Sequence, residues 1–533
     1  MPKGSVTPWS YLLIRFLFKF VLRIFYGTVV VENTEYIPKT GRPCNSLTDA
    51  LLLVDAVPSR IRNMLRLTAK STQFGHPTFT SWLIESAGTV PLKRRKDYEQ
   101  GQIHDVDNTN VMSSLMEALE MGDAICLFPE GASRYHPTIA PLKTGVSRIV
   151  SDVLTRNRNN ADFEISVLTC SITYMHRQHF RSDVLVTFNP PMTFTVKDNP
   201  ELLAPVNYDE IRALTARMHD EISSRTIDAP SWDVVRAAKA ASRIYVPLGT
   251  RMSLGDYVRV TRIFVEAFKA SESARTKEED NGGEGATGDD EYTEVDAELV
   301  QLRHDLQSYQ DQLSRWGIKD DRIRRPLHRR TILFRLPLRL SWSFVLFTLS
   351  LPGLLLWLPV FLTTFYAVHN FKKSGPVWDT WDEIAQYKLI YGLMSGVAVW
   401  VISILVTLPV GAVTAFVVPA LMWMSLRWLE DAVSAFRAFL ALLRLLRVGK
   451  PTLKTMGEKR AELHVRVMKL AISTLGLPAD PETHFLEAGG REKGRVRSRW
   501  ESGAKYFSVR RRRKRDWNET LRLYDKSDYP TFD

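Results

Sequence analysis

Hydrophobic positions near the start of the chain follow a helical period. Residues 9–26 are almost wholly apolar or aromatic, apart from bases at every fourth position, Arg15, Lys19 and Arg23. At 3.6 residues per turn these bases share one face of a helix. The pattern predicts an amphipathic helix, within residues 1–26, that lies in a membrane interface with its bases toward lipid phosphates. A helix docked on the protein core is the alternative.

Between residues 27 and 270, short apolar runs alternate with helical patterns. Helical periods occur near residues 49–57, 79–87, 109–121, 142–156 and 207–224, and strand-like runs occur at Thr28–Val31, Thr89–Leu92, Ala124–Phe128, Glu164–Thr173 and Val184–Phe188. Such alternation is typical of an α/β domain in which helices cover a sheet.

The hydrophobic pattern changes after residue 270. Residues 271–300 are dense in acidic residues and glycine, which predicts a flexible linker because little apolar surface is present to offset the entropy of ordering. Residues 301–338 follow as a basic helical connector. The linker therefore separates the α/β domain from a second half of different composition.

Two long runs in the second half carry no formal charge. They lie between Arg339 and Lys372 and between Lys388 and Arg427. Each exceeds the roughly 20 apolar residues that a helix needs to cross a bilayer. Arginines flank the pair on both sides, so the positive-inside rule predicts a two-pass hairpin over residues 339–426 with both ends in the cytosol.

Charge is unevenly distributed along the 533 residues. Lys and Arg number 71 against 59 Asp and Glu, a formal net charge of +12, which indicates an anionic partner. A cytosolic helical region, residues 427–490, leads to a tail, residues 491–533, whose first half is densely basic. Beside two predicted membrane spans, this tail is better explained by anionic phospholipid headgroups than by nucleic acid.

Cysteine usage excludes a disulfide framework. The chain has three cysteines, Cys44, Cys126 and Cys170, which favours a reducing compartment over a small secreted scaffold. No cluster with metal-ligand spacing stands out, so we expect neither a metal nor a cofactor.

The densest group of chemically useful residues spans Leu127–Gly145. An apolar strand ends in Pro129-Glu130-Gly131, and Arg134, Lys143 and Gly145 follow. The end of a strand in an α/β sheet is the usual place for a site, and a helix that begins near a cation is suited to phosphate. Upstream, the strand-like run Thr89–Leu92 leads directly into four bases, Lys93 to Lys96. Together these strand ends predict a phosphate-binding site.

Four segments, in this order, resemble the conserved blocks of the glycerolipid phosphate acyltransferases, in particular the fungal membrane branch that acts on glycerol 3-phosphate or dihydroxyacetone phosphate. Phe128–Gly131 is similar to the third block, Gly88–Arg94 to the second and Ser166–Tyr174 to the fourth, and Leu142–Gly145 resembles the lysine-containing step after the third. The resemblance covers roughly Val29–Asp256. It implies a layered acyltransferase domain with a mixed sheet, followed by the membrane hairpin.

The resemblance also implies a reaction and roles for named residues. A hydroxyl of glycerol 3-phosphate or dihydroxyacetone phosphate would attack the thioester of acyl-CoA, a co-substrate, to give lysophosphatidate or its equivalent. Arg94, Arg134 and Lys143 would bind the phosphate, and Glu130 and Gly131 would shape the acceptor pocket. The protein would be a multi-pass protein of the endoplasmic reticulum membrane, with its catalytic domain in the cytosol.

The first block departs from the family pattern. The family has an apolar strand that leads into a histidine, and an aspartate that follows the histidine after four or so intervening residues. Asp49 resembles that aspartate, the acid of a catalytic dyad. Cys44 or a neighbour stands where the histidine is expected, and His76 is the first histidine in the chain. The residues between Val31 and Leu47 include few apolar ones, so the strand is predicted to be missing as well.

Three interpretations of this departure remain open. A short deletion beside Pro43–Asn45 would remove strand and histidine together, and we favour it for that reason. A natural variant without the base would be a catalytically impaired membrane protein that binds phospholipid or a partner enzyme. In the third interpretation, another group replaces the base, and the candidates are His76, His136, His176, His179 and Cys44.

Overall fold

The computed structural model combines an α/β domain with a long helical region. It describes residues 8–38, 42–46, 50–57, 65–71, 74–77, 79–86, 88–93, 109–131, 136–175, 183–247, 250, 252–280, 290–318, 320, 323, 328–373, 383–487 and 495–496. The fold class predicted from sequence, a layered α/β domain with a mixed sheet followed by membrane-type helices, is confirmed.

A nine-stranded sheet forms the centre of the α/β domain. Its strands, in chain order, are β1 Thr28–Glu32, β2 Arg42–Ser46, β3 Leu65–Lys70, β4 Val90–Leu92, β5 Ala124–Leu127, β6 Glu164–Tyr174, β7 Asp183–Phe188, β8 Met192–Thr195 and β9 Arg495–Val496. Their spatial order is β4-β3-β5-β2-β6-β7-β1-β9, with β8 paired to β6. The five predicted strands are all present, whereas β2, β3, β8 and β9 were not predicted.

Strand direction divides the sheet into two parts. Strands β4, β3, β5, β2 and β6 run parallel to their neighbours. Strand β7 is antiparallel to β6 and parallel to β1, while β8 pairs antiparallel with β6 and β9 with β1. The carboxyl ends of β1 and β7 therefore lie at the opposite edge from those of the five parallel strands.

Alternate residues of the central strands face two separate hydrophobic clusters. Ile125 and Val167 pack with helices on one face, whereas Cys126 and Leu168 pack with helices on the other. The first face is covered by α4 Thr109–Glu120, α5 Gly145–Arg156 and α6 Tyr208–Ser223, and the second by α1 Trp9–Phe25 and α2 Ala50–Ala56. A further helix, α3, spans Phe79–Ser86. This period of two, with both faces buried, explains the near-continuous apolar sequence of β5 and β6.

The prediction that the strand of the first block is missing is wrong. Residues Arg42–Ser46 form β2, which lies between β5 and β6 and pairs in parallel with both. Cys44 is in register with Ile125 and Val167, and Ser46 with Leu127 and Thr169. Hydrogen-bonding partners on both sides impose a strand on a segment whose own residues do not predict one.

The residues predicted as a flexible linker are helical at both ends. Helix α8 runs from Leu254 to Asp280, and α9 runs from Asp290 to Trp316; the residues between lie outside the described part. Helix α7, Trp232–Tyr245, packs against both. Apolar positions of α8 and α9 on either side of the predicted linker, such as Phe264, Phe268, Leu302 and Leu306, bury a common core, which offsets the entropy of ordering these helices.

Three helices of the second half are long and apolar enough to cross a membrane. They are α10 Arg329–Lys373, α11 Glu383–Val406, of which the span covers Tyr387–Val406, and α12 Gly411–Val448. The second charge-free run, which is expected to form one span of the two-pass hairpin, holds two helices, separated at Thr407–Val410. Helices α13 Lys450–Lys469 and α14 Pro481–Glu487 follow.

Close packing and polar contacts join α10 to α12. A side chain at Gly353 would collide with Ser425, so the two helices approach through a small residue. The Trp357 indole nitrogen donates to the carbonyl of Met422 at 2.8 Å, and the Ser343 hydroxyl donates to that of Ala432 at the same distance. Apolar side chains such as Phe344 and Phe365 are exposed on the outer surface, as a membrane segment requires.

Helix α1 is docked on the core on one side and exposes apolar side chains on the other. Tyr11 and Leu22 are buried, while Trp9 and Phe16 are exposed. The predicted orientation of its bases toward lipid is wrong for Arg15, whose guanidinium donates to the carbonyl of Val57 at 2.5 Å. On its buried side, α1 therefore matches the alternative prediction, a helix docked on the protein core.

The tail is not wholly solvated. Its residues 495–496 form β9, which pairs with Val30 and Val31 at the edge of the sheet, and the remainder of the tail lies outside the described residues.

Candidate active site

The carboxyl ends of five parallel strands meet at one edge of the sheet. The third block follows β5 and the first follows β2, and these two strands are neighbours. The second block contains β4, which is separated from β5 by β3. Because parallel strands end at the same edge, the fold brings the carboxyl ends of these strands to one side of the sheet, the usual place for a site in an α/β sheet.

A tight turn ends β5. The amide of Gly131 donates to the carbonyl of Phe128 at 3.1 Å, and the amide of Lys143 donates to the carbonyl of Pro129 at 2.8 Å. Gly131 has φ +67°, a left-handed conformation that side chains disfavour. The backbone of Lys143 is thereby fastened to the turn that carries Glu130.

The side chain of Lys143 passes directly over Gly131. A Cβ atom at residue 131 would lie 2.6 Å from the Lys143 Nζ and 2.7 Å from its Cε. Glycine is therefore required both by the backbone conformation and by the space that the lysine occupies. The exposed side chain of Lys143 therefore lies against the residue that follows the half-buried Glu130, and α5 begins two residues beyond the lysine.

Residues far along the chain anchor the segment that joins β5 to α5. Asp228 accepts a hydrogen bond from the amide of Ile139 at 3.0 Å, and its other oxygen lies 3.2 Å from the Lys269 Nζ. The amide of Ala229 donates to the carbonyl of Pro137 at 3.1 Å. Asp228 is thus a positioning residue of the candidate site, and no sequence motif marked it.

The structure places three of the six predicted site residues. Glu130, Gly131 and Lys143 are brought together at the end of β5. Asp49, Arg94 and Arg134 lie outside the described residues, although the strands that precede the first two, β2 and β4, end at the same edge as β5. Lys93, directly after β4, is exposed.

Cys44 is poorly placed to replace the missing base. It pairs with Ile125 in the middle of β2, two residues before Ser46, which pairs with the last residue of β5. The site edge begins after Ser46, so the backbone of Cys44 lies deeper in the sheet. Of the other cysteines, Cys126 and Cys170 are buried, and burial raises the pKa of the Cys170 thiol well above its ordinary value.

Two histidines proposed as substitutes lie at exposed positions. His76 follows β3, and its amide donates to the Ser81 hydroxyl at 3.2 Å. The Glu85 carboxylate accepts from the amide of Gly75 and from Ser81, and these hydrogen bonds lower the pKa of Glu85. His136 lies between β5 and α5, and His176 and His179 are outside the described residues. Within the described part of the chain, no three His, Cys, Asp or Glu residues are grouped as a metal site.

Two protein families match separate parts of the chain. The family described as Acyltransferase matches residues 29–173, which hold β1 to β6 and the Glu130, Gly131 and Lys143 group. The family described as Glycerol-3-phosphate acyltransferase 2 C-terminal domain matches residues 290–478, which hold α9 to α13 and all three candidate membrane spans.

Three fungal relatives are similar over half of the chain or more. An uncharacterized acyltransferase of Schizosaccharomyces pombe is 25% identical over 54% of this chain and 40% of its own length. Glycerol-3-phosphate O-acyltransferase 2 of Saccharomyces cerevisiae is 25% identical over 54% and 37%, and glycerol-3-phosphate O-acyltransferase 1 of that yeast is 22% identical over 69% and 46%. The chain therefore spans less than half the length of the curated relatives it matches.

Proposed function

Because the chain belongs to the family of glycerol-3-phosphate acyltransferases, we propose that it transfers a fatty acyl group from acyl-CoA to glycerol 3-phosphate or dihydroxyacetone phosphate. The product is lysophosphatidate or its acyl-dihydroxyacetone-phosphate equivalent. The observation that carries this proposal is the position of the Lys143 side chain against Gly131, the residue after Glu130, at the edge of the sheet where the parallel strands β2, β4 and β5 end.

In the proposed reaction, the residues at this edge of the sheet have separate roles. The acceptor hydroxyl attacks the thioester carbonyl, a C–O bond forms, the C–S bond breaks, and the CoA thiolate leaves while a base takes the hydroxyl proton. The ammonium of Lys143 and the start of α5 are suited to the acceptor phosphate, in company with Arg94 and Arg134. Glu130 and Gly131 shape the acceptor pocket, and Asp49 orients the base.

The location of the helices supports a reaction at a membrane surface. Helices α10, α11 and α12 hold the chain in the bilayer, and Leu389 and Leu393 of α11 pack in the same cluster as Tyr11 and Leu22 of α1. The α/β domain is thus directly attached to the membrane helices. We place the protein in the endoplasmic reticulum membrane with this domain in the cytosol, where acyl-CoA and a lipid product meet.

A second function is favoured by one observation, the absence of a histidine from residues 1–75. A chain without the base would bind phospholipid or a partner enzyme through the same fold and would have impaired catalysis. Sequencing of the transcript across codons 43–45 separates the two. A histidine codon in the mature message supports the enzyme, and its absence favours the second function.

Acyl transfer is tested with membranes that contain the full chain, labelled glycerol 3-phosphate and acyl-CoA. In any version that carries the histidine, Glu130→Ala and Arg94→Ala are expected to abolish labelled product. Arg158→Ala is the matched control, because Arg158 is an exposed base that forms no side-chain hydrogen bond or ion pair with the described residues. Full activity of both site variants would refute the assignment of these positions.

A further inference from the structure

The carboxylate at the end of β1 is buried with half of its hydrogen-bonding capacity unused. Glu32 is 4% exposed, and its Oε2 accepts from the Arg259 guanidinium at 3.1 Å. Its Oε1 has no hydrogen-bond partner among the described residues. Buried carboxylate oxygens are normally paired, so this atom requires an explanation.

The Glu32 side chain lines a cavity of about 360 Å³. Arg225, Arg259 and Arg262 supply positive charge to its wall, Thr187 supplies a hydroxyl, and Val258 supplies apolar surface. A space of this size lies at the small end of the range for ligand pockets. The cavity lining therefore combines a buried acceptor with three arginines.

Two of the three arginines are available to a ligand. Arg259 is held by Glu32 and by the Asp256 carboxylate, 2.5 Å away. Arg225 forms no side-chain hydrogen bond or ion pair with the described residues. The Nε of Arg262 is buried without a hydrogen-bond partner in the described chain, and the carboxylate of Glu266 is 3.6 Å from it.

The carboxylate is fixed in place by its neighbours. A Cβ atom at Gly255, the second residue of α8, would collide with both oxygens of Glu32, so the carboxylate packs flat against the helix backbone. The Arg259 contact holds Oε2 from the other side. Oε1 is thus a preorganised acceptor on the cavity wall, and the nearby start of α8 favours negative charge in a ligand.

The cavity is distinct from the candidate active site. Glu32 ends β1 and Thr187 lies near the end of β7, and both strands run opposite to β2 and β5. The cavity therefore lies at the other edge of the sheet from Glu130 and Lys143. A molecule bound there would not be the acyl acceptor in the reaction.

We propose that this cavity is a second binding site, for a small organic oxyanion that also carries a hydroxyl group. The oxyanion, a phosphate ester or a carboxylate, binds between Arg225 and Arg262, whose guanidinium groups present hydrogen-bond donors. The hydroxyl donates to the Oε1 of Glu32. This inference does not depend on the proposed acyl transfer, since it rests on the opposite edge of the sheet.

The test measures binding to the purified full chain in detergent micelles by titration calorimetry. The probes are glycerol 2-phosphate and glycerate, which separate phosphate from carboxylate, and methyl phosphate, which lacks the alcohol hydroxyl. Arg225→Gln and Arg262→Gln are each expected to weaken binding of the better glycerol-based probe about tenfold or more, the effect of a charge-assisted hydrogen bond. Methyl phosphate is expected to bind wild type more weakly than glycerol 2-phosphate.

Two further variants locate the signal. Lys143→Ala, at the other edge, removes any binding of the probe at the candidate active site, and the binding that depends on Arg225 and Arg262 is expected to stay unchanged in this variant. Glu32→Gln is expected to reduce the preference for glycerol 2-phosphate over methyl phosphate. Thermal unfolding midpoints establish that each variant is folded. Arg225 is exposed and unpaired within the described chain, so Arg225→Gln is expected to fold normally and keeps the test valid if Glu32→Gln is unstable. Binding that is lost in Lys143→Ala but kept in both arginine variants, or no binding of any probe, overturns the proposal.

Discussion

Strands β5 and β2 lie side by side at the centre of the sheet and end at the same edge, yet their sequences differ sharply. All four residues of β5, Ala124–Leu127, are apolar and buried, and the turn that follows keeps Glu130, Gly131 and Lys143 together. Strand β2 reads Arg-Pro-Cys-Asn-Ser and leads into a first block without its histidine. The comparison shows that pairing with β5 and β6 can keep β2 as a strand although its sequence lacks the apolar residues typical of a central strand.

This difference changes the interpretation of the missing histidine. A deletion would explain the departure of the first block only if strand and histidine were absent together. Strand β2 is present and pairs with β5 and β6, so the histidine is lost without the strand. The joint loss no longer supports a deletion, and the chain has the framework of the first block without its base.

The largest expected effect comes from returning a base to β2. Family spacing places the histidine at Cys44, five positions before Asp49, whereas the register places Ser46 at the site edge. General-base catalysis contributes about 10²–10⁴-fold to rate. If the spacing to Asp49 determines where the base must stand, Cys44→His will raise the rate of acyl transfer by such a factor. If the distance from the end of the strand determines it, Ser46→His will do so.

The measurement is incorporation of labelled glycerol 3-phosphate in membranes, compared with the same substitutions in the Glu130→Ala background. The gain is expected to disappear there, because both strand ends would serve one site. If neither histidine raises the rate of acyl transfer, the third block after β5 is present in a protein that does not catalyse this reaction.

The contrast between these strands also shows what the sequence could predict. The five predicted strands and the helices α2 to α6 were found because their own apolar residues repeat with period 2 or 3.6. Strand β2 was missed because its pairing is imposed by β5 and β6, which lie far along the chain.

The candidate site was predictable to a similar extent. Glu130, Gly131 and Lys143 were identified because they are close in sequence and match a motif. Asp228, which holds the segment between β5 and α5, and Glu32, in the opposite cavity, were not. Each makes its contacts across a separation of many residues, for which a single sequence contains no local signal.

A truncation in β5 is expected to reduce stability strongly. Ile125 is fully buried and packs in one cluster with Leu115 and Val150, so Ile125→Ala should destabilise the fold by about 2–5 kcal/mol. Ile125→Val, the matched control, should cost about 0.5–1.5 kcal/mol. Unfolding in micelles, followed by tryptophan fluorescence, measures both, and equal midpoints for the two variants would argue against a tightly packed β5.

Removal of the Lys143 ammonium, close to the end of β5, is expected to weaken binding of the substrate phosphate more than it lowers the stability of the fold. Lys143 is exposed, so Lys143→Ala should leave the unfolding midpoint nearly unchanged. A hydrogen bond to a charged group contributes about 1.5–3 kcal/mol, which corresponds to a rise of roughly 10- to 100-fold in the KM for glycerol 3-phosphate. The KM is measured in the most active histidine variant, with Arg158→Ala as the control; a change in kcat alone would place Lys143 outside the phosphate site.

The smallest effect is expected from the proline in β2. Pro43 lies in a central strand, in register with Ser166, and cannot donate to the ladder. Pro43→Ala restores a backbone hydrogen-bond donor, which stabilises the folded state by about 0.5–1.5 kcal/mol. It also makes the unfolded chain more flexible, which lowers the free energy of unfolding by about 0.4–1 kcal/mol, so the two changes nearly cancel. Pro91 in the edge strand β4 is the matched control, and Pro91→Ala should only lose rigidity. A loss in Pro43→Ala as large as that in Ile125→Ala would mean that β2 depends on its own residues and not on its neighbours.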